Sequence, residues 1–393
     1  MFERIHTSRR FQLGLLAALL ALTAWGAHAG SGARPIQAIT TAVQPKATPR
    51  VEVAFVLDTT GSMAGLIDGA KRKIWSIANQ LASGQPTPKV RMALIAYRDR
   101  GDSYVTRVHD LTDDIDAVYA ELQQFTADGG GDTPESVNQA LDEAVTRLAW
   151  SSDPNVYRAI FLVGDAPPHL DYQDDVKYGD SVARARAKGI AINTVQCGDL
   201  AETTPIWQQI ASAGGGTFAA ISQDGGMLAL TTPMDDELAT LNRDLASTLV
   251  PYGAPADQAE LEAKRDRAAA ASPSTVASRL GFLSKIGGRV NAGRADLLDA
   301  ISAGDKKLAE IAEPELPASL RAMPAPAREE FVKQKLEERQ KIQARIDHLS
   351  VERDEYVAKE TSRRAASGTD KDGFDSVVRD AVRAQAAAAG ITY

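Results

Sequence analysis

From Val51 to about position 250, short apolar runs alternate with longer stretches in which apolar residues recur every three or four positions. The short runs, at 51–57, 90–97, 104–109, 158–164, 189–196 and 216–220, are rich in Val, Ile and Phe and have the length of strands. The longer ones, at 64–82, 113–125, 134–149, 175–187, 204–213 and 234–249, have helical periodicity. Strands alternating with helices of this length predict βαβ units and a doubly wound, Rossmann-like, mostly parallel sheet. The 104–109 run follows its predecessor through the short turn Arg98 to Asp102, so it is expected as an antiparallel edge.

Past Pro251 the strand signals vanish and Ala, Glu, Lys and Arg dominate. Helices are expected at 257–271, 274–285 and 294–312, then a Pro-containing break at 314–326, a long helix at about 327–360, a turn at 368–373 and a last helix at 374–389. The long helix would run about 50 Å. Its apolar residues Val332, Leu336, Ile342, Ile346, Leu349 and Tyr356 approximate a coiled-coil heptad, but Arg339 and Arg353 interrupt the seam. Packing against the α/β part, or a helical hairpin, is therefore expected over an independent coiled coil.

Charge and termini narrow the function. A net charge of −8 over 393 residues gives no basic face for nucleic acid. Arg4, Arg9 and Arg10 precede the apolar run Leu13 to Trp25, which ends in Ala27-His28-Ala29. That is the pattern of a cleaved secretory signal over 1–29, and the run is shorter than the ~20 residues of a membrane span. Export to a periplasmic or secreted location is expected, with no membrane span after cleavage. Residues 30–50 read as a linker, 51–250 as the α/β domain and 251–393 as a helical region. Cys197, alone in the chain, closes a probable strand with no activating base nearby, and reads as a structural thiol.

Three loops carry the candidate chemistry. The first strand ends in Asp58-Thr-Thr60-Gly-Ser62, one carboxylate with two hydroxyls at spacings of two and four. Oxygen ligands of this kind suit a hard divalent cation such as Mg²⁺, and open α/β sheets bind ligands beyond the carboxyl ends of their strands. The second loop is Asp128-Gly-Gly-Gly-Asp132-Thr133-Pro134-Glu135; the third is Gly164-Asp165-Ala-Pro-Pro-His169. Each has a plainer reading: Asp132 and Glu135 as a helix capping box, Asp165 as a turn cap. If all three loops lie at strand ends they converge on one site.

With these motifs, 51–250 resembles a von Willebrand factor type A domain. Asp58-x-Thr60-x-Ser62 matches that family's metal-ion-dependent adhesion site, Thr standing for the first Ser. Asp132-Thr133-Pro134-Glu135 and Asp165-Ala-Pro-Pro-His169 are closest in motif to the integrin β-subunit branch. The resemblance implies metal ligands Asp58, Thr60, Ser62, Glu135 and Asp165, with Thr133 as the alternative to Glu135, and Mg²⁺, Mn²⁺ or Ca²⁺ as the ion. It implies a second ion held by Asp99, Asp132, the Pro134 carbonyl and Glu135, against the plainer reading that Asp99 pairs with Arg98 or Arg100. Gly65 and Leu66 stand where that branch's third site needs acids, and His169 reads as a structural or rim residue. The family couples ligand binding to its last helix, expected here at about 234–249.

The function implied is non-catalytic: capture of a protein or peptide whose Asp or Glu carboxylate completes the cation's shell. Two alternatives stay open. One is a structural metal in a scaffold that works through its helical C-terminal region. The other is a haloacid-dehalogenase-like phosphohydrolase with Asp58 as nucleophile, disfavoured because Thr60 stands where most such enzymes place a second Asp.

Overall fold

The computed structural model describes residues 48–227, 229–291, 295–367 and 373–393; the expected signal segment and nearly all of the expected linker lie outside these residues. The chain runs β1 (Arg50–Asp58), α1 (Ala64–Leu81), β2 (Lys89–Tyr97), β3 (Thr106–Thr112), α2 (Ile115–Gln123), α3 (Val137–Thr146), β4 (Val156–Gly164), α4 (Tyr178–Ala187), β5 (Ala191–Cys197), α5 (Thr203–Gly214) and β6 (Gly215–Ile221). It continues through α6 (Asp235–Ala246), α7 (Pro255–Ala270), α8 (Pro273–Lys285), α9 (Leu297–Ser302), α10 (Ala318–Arg321), α11 (Ala325–Ala366) and α12 (Phe374–Gln385).

The six strands form one sheet in the order β3-β2-β1-β4-β5-β6. Every pairing is parallel except β2 with β3, which is antiparallel as the short turn requires. The doubly wound expectation holds. Along β1, Val51, Val53, Phe55 and Leu57 enter one core with α1, α2 and α12, while Ala54 and Val56 enter the other with α3, α4 and α5. Both faces are covered, which is why the strand reads as an unbroken apolar run.

Several boundaries move for identifiable reasons. β3 begins at Thr106, two residues later than expected. The expected 134–149 helix starts only at Val137, because Glu135 spends its backbone on the third loop: its N–H donates to Pro167 O at 2.9 Å. The expected 294–312 helix shrinks to α9, since Gly304 adopts φ +75° just after Ala303 and ends it.

The larger departure is which helix covers the sheet beside β6. The 234–249 segment does not. α6 packs on α8 and α11 around Leu238, Leu245, Leu280, Ile346 and Leu349. The sheet position is taken by α12, whose Phe374, Val378, Ala381 and Val382 join the core of α1 and β1. Lys73 Nζ holds Asp375 Oδ2 at 2.9 Å, and the terminal backbone pairs Gln85 with Thr392 in both directions, at 2.8 and 3.0 Å.

α11 lies along this helical layer rather than apart from it. The two arginines that broke its heptad are buried: Arg339 pairs with Asp296 and Asp299 and donates to Thr248 O, and Arg353 Nε meets Asp235 Oδ1 at 2.8 Å. Of its apolar series Val332, Ile346 and Leu349 are buried, while Tyr356 is exposed. Among the described residues no helix is long and apolar enough to cross a membrane.

Candidate metal centre

β1 delivers Asp58 to the carboxyl edge of the sheet, fully buried. Its Oδ1 accepts from Thr60 N–H at 2.8 Å and from Thr60 Oγ1 at 2.7 Å, so the Asp-x-Thr spacing closes a local turn. Thr60 Oγ1 lies 3.4 Å from Ser62 Oγ, which is exposed. Carboxylate and hydroxyls thus follow one another from the floor of a cleft to its rim.

The second loop reaches this edge without a strand of its own: it follows α2 instead of ending a strand, which corrects the expectation of three strand-end loops. Asp128 N–H donates to Thr59 O at 3.1 Å, and Gly61 N–H to Gly129 O at 3.3 Å. Two of this loop's glycines, Gly129 and Gly130, are needed. Gly130 sits at φ +84°, and a Cβ there would lie 3.3 Å from Thr60 Cβ and 3.5 Å from Glu135 Oε1. Loops two and three are stitched by Glu135 N–H to Pro167 O and by His169 N–H to Glu135 O at 3.1 Å. Glu135 and Asp132 therefore form no capping box; Ser136 precedes the helix.

One cleft is lined by Thr60, Ser62, Asp132, Thr133, Glu135 and Asp165, above the buried Asp58. Glu135 is only 3% exposed, whereas Thr133 stands exposed on the rim. Asp58 Oδ2 and Glu135 Oε2 are buried with no hydrogen-bond partner. Burial, then the Asp165 charge, pushes Asp58 up to about 7; burial, then Asp58 and Asp99, pushes Glu135 up to about 9. Two desolvated, unpartnered carboxylate oxygens fit a divalent cation: it would supply the charge that makes their ionised forms tolerable.

The plainer reading of Asp99, paired with Arg98 or Arg100, does not hold. Arg98 donates to Thr59 O and Thr126 O, at 3.1 and 2.7 Å, and Arg100 turns to Asp174 and Asp175. Asp99 instead accepts from Ser136 Oγ at 2.8 Å and Tyr172 Oη at 2.9 Å, and forms with Asp132 and His169 a group whose ligand atoms all lie within 4.8 Å of one another. His169 is therefore no rim residue; it is 5% exposed.

Sequence reasoning also missed Gln223, whose Nε2 donates to Asp165 Oδ2 at 2.7 Å and to Ser62 O at 3.3 Å. Nothing in Ser222-Gln-Asp-Gly-Gly announces this; β6 merely ends opposite β1's loop. Cys197 lines the cleft's edge, buried, its thiol pushed well up by burial and the neighbouring acids, as a structural thiol should be.

Fold and site together define a mostly parallel α/β domain with an acidic, hydroxyl-bearing cleft at the carboxyl edge of its sheet. Residues 52–232, just under half of the chain, match the family described as von Willebrand factor A domain, and this part of the chain has that fold. The family match does not single out the integrin β-subunit branch. Human von Willebrand factor A domain-containing protein 7 is 36% identical over 121 residues, 31% of this chain and 12% of that protein; the rat protein of the same name gives the same figures. The chain thus spans about an eighth of the length of these curated relatives. Among solved structures, proximal thread matrix protein 1 from the mussel byssus, with a zinc-occupied MIDAS motif, is similar at 17% identity and a TM-score of 0.36, covering 45% of this chain and 43% of that one.

Proposed function

We propose that the chain captures a protein or peptide ligand through a divalent cation held by Asp58, Thr60, Ser62, Glu135 and Asp165. The observation that carries this is the pair of buried, unpartnered oxygens, Asp58 Oδ2 next to the lining residue Thr60 and Glu135 Oε2 in the lining itself, at a cleft whose rim hydroxyl, Ser62, is open to solvent. Mg²⁺ or Mn²⁺ suits the all-oxygen set. Thr60 and Ser62 contribute no charge, so the ion would keep an appetite for a further carboxylate, which an Asp or Glu of a partner supplies. Glu135 is preferred to Thr133 because it lies inside the cleft, and this is the ligand choice of the integrin-β-like motif. Proteins with this domain typically work by protein–protein contact rather than catalysis.

The alternatives have weaker support. A phosphohydrolase would need an accessible nucleophile, and Asp58 is fully buried with one oxygen committed to Thr60. A scaffold working through α11 would need that helix free, yet its Val332, Ile346 and Leu349 are buried within the chain. Export is proposed on the charge and hydropathy of residues 4–29 alone.

Calorimetric titration of Mg²⁺ and Mn²⁺ into the full chain and its Glu135→Ala and Thr133→Ala variants tests the ligand set. Loss of most affinity in Glu135→Ala alone is the expected result, followed by partner capture that chelator abolishes. Equal binding by wild type and Glu135→Ala would reduce Glu135 to a structural residue and pass its place to Thr133.

A further inference from the structure

Next to the adhesion-type cleft, with which it shares Asp132 at the rim, the imidazole of His169 is held from several sides. Its Nδ1 is 2.8 Å from Asp171 Oδ1, and its ring stacks on Tyr172 with centroids 4.0 Å apart and planes 9° from parallel. Arg100 covers the other side of Tyr172, 4.1 Å from that ring's centre. Asn138 Nδ2 pins the backbone by donating to His169 O at 2.6 Å. Because a carboxylate only accepts, Nδ1–H donates to Asp171, and Nε2 is the ring atom turned toward Asp99 and Asp132.

What Nε2 faces is two carboxylates. Asp99 Oδ2 lies 3.3 Å away and Asp132 Oδ2 3.9 Å away, yet Nε2, in a residue only 5% exposed, has no hydrogen-bond partner. A ring nitrogen facing two carboxylates calls for a positive charge between them, supplied either by a proton on Nε2 or by a metal ion bound in its place. Ligand atoms bound tetrahedrally at Zn²⁺ distances are roughly 3.3 Å apart; the His169–Asp99 pair matches this at 3.3 Å, the His169–Asp132 pair is at 3.9 Å, and all three atoms lie within 4.8 Å of one another. The carboxylates are oriented as well: Ser136 Oγ and Tyr172 Oη donate to the two oxygens of Asp99.

We propose that Asp99, Asp132 and His169 form a second cation site, distinct from the adhesion-type centre, that takes a first-row transition ion of the Zn²⁺ class. The imidazole decides the class. Mg²⁺ and Ca²⁺ prefer oxygen throughout, whereas one nitrogen with two carboxylates suits Zn²⁺ or Co²⁺. This differs from the oxygen-only second site implied by the family resemblance, which uses the Pro134 carbonyl and Glu135 in place of His169. Three protein ligands leave a fourth position for water, and the Asp132 side chain is 62% exposed. Such an ion would tie the second loop to the third through Asp132 and His169, the same two loops that carry Glu135 and Asp165. The site does not depend on the adhesion-type reading.

The test titrates Zn²⁺, and separately Co²⁺ followed by its visible absorption, into the full chain in excess Mg²⁺. One equivalent of Zn²⁺ should bind, with His169→Gln weakening it by at least about 100-fold, beyond what loss of a mere supporting contact causes. Asp58→Ala, which removes the adhesion-type centre, should leave Zn²⁺ binding unchanged. Should circular dichroism show His169→Gln misfolded, Asp132→Asn, at an exposed side chain, decides in its place. The proposal is overturned if wild type takes up no Zn²⁺ in excess Mg²⁺. It is also overturned if Zn²⁺ binding is lost in Asp58→Ala while surviving in His169→Gln or Asp132→Asn, for then the ion sits in the first centre.

Discussion

Phe374, at the start of the last helix, stands edge-on to Phe55 in the central strand, ring centroids 5.7 Å apart and planes at 72°. Phe55 in turn meets Phe161 of β4 at 5.7 Å. The C-terminal helix is therefore part of the α/β core. Phe374 N–H also donates to Gly225 O at 3.0 Å, in the turn that carries Gln223 to Asp165. Phe374→Ala should cost about 3–5 kcal/mol, as large-to-small changes at buried aromatics do. Urea unfolding measures it; a loss below 1 kcal/mol would show that α12 is only loosely attached.

Arg339 is the corresponding anchor in the helical layer. It faces Asp296, whose side chain is wholly buried, and Asp299, which burial and Asp296 push up to about 6. Arg339→Met leaves those carboxylates without their cation and should destabilise by about 3–5 kcal/mol. The same unfolding experiment checks it, and near-neutrality would mean water reaches Asp296.

The cleft should make stability depend on pH and metal together. Asp58 and Glu135 are raised above their ordinary values of 3.8 and 4.5, to about 7 and about 9. Their contribution to the ion-free protein is therefore fully present below about pH 4 and is lost as pH climbs through about 7 and then 9. Mg²⁺ competes with protons for these oxygens, so it binds more tightly as pH rises. The difference in Tm between Mg²⁺ and chelator should be small near pH 5 and several degrees near pH 8. A difference that does not change with pH would mean that these two carboxylates do not hold the ion.

Gly130→Ala tests the second loop. A left-handed φ and the contacts with Thr60 and Glu135 make the added methyl cost about 1–3 kcal/mol. Cation affinity should fall with it, because the methyl presses on two proposed ligands at once. Gly131→Ala, where a Cβ meets nothing within 4 Å, is the matched control and should bind normally.

What the chain declares on its own is what is local. Strands buried on both faces read as unbroken apolar runs, so β1, β2 and β4 were legible, and with them the doubly wound sheet. Asp58, Thr60 and Ser62 were legible because their geometry is made within five residues, by Asp58's own bonds to Thr60. The glycines at 129 and 130 advertised a turn, since a Cβ at 129 would meet Asp102 at 2.3 Å and one at 130 would crowd Thr60. Tertiary structure decided everything that depended on which distant surface came to meet a given face. The apolar stripe of α12 has the same period whether it covers a sheet or another helix, so nothing in it said that it, and not 234–249, would close the core beside β6. Arg339 and Arg353 looked like defects in a seam because their carboxylates lie far away in sequence. His169 looked peripheral because Asp99 reaches it only after β2 and β4 are brought into one sheet on either side of β1. Periodicity and short-range hydrogen bonds are properties of neighbouring residues, whereas charge pairing and burial belong to the folded chain.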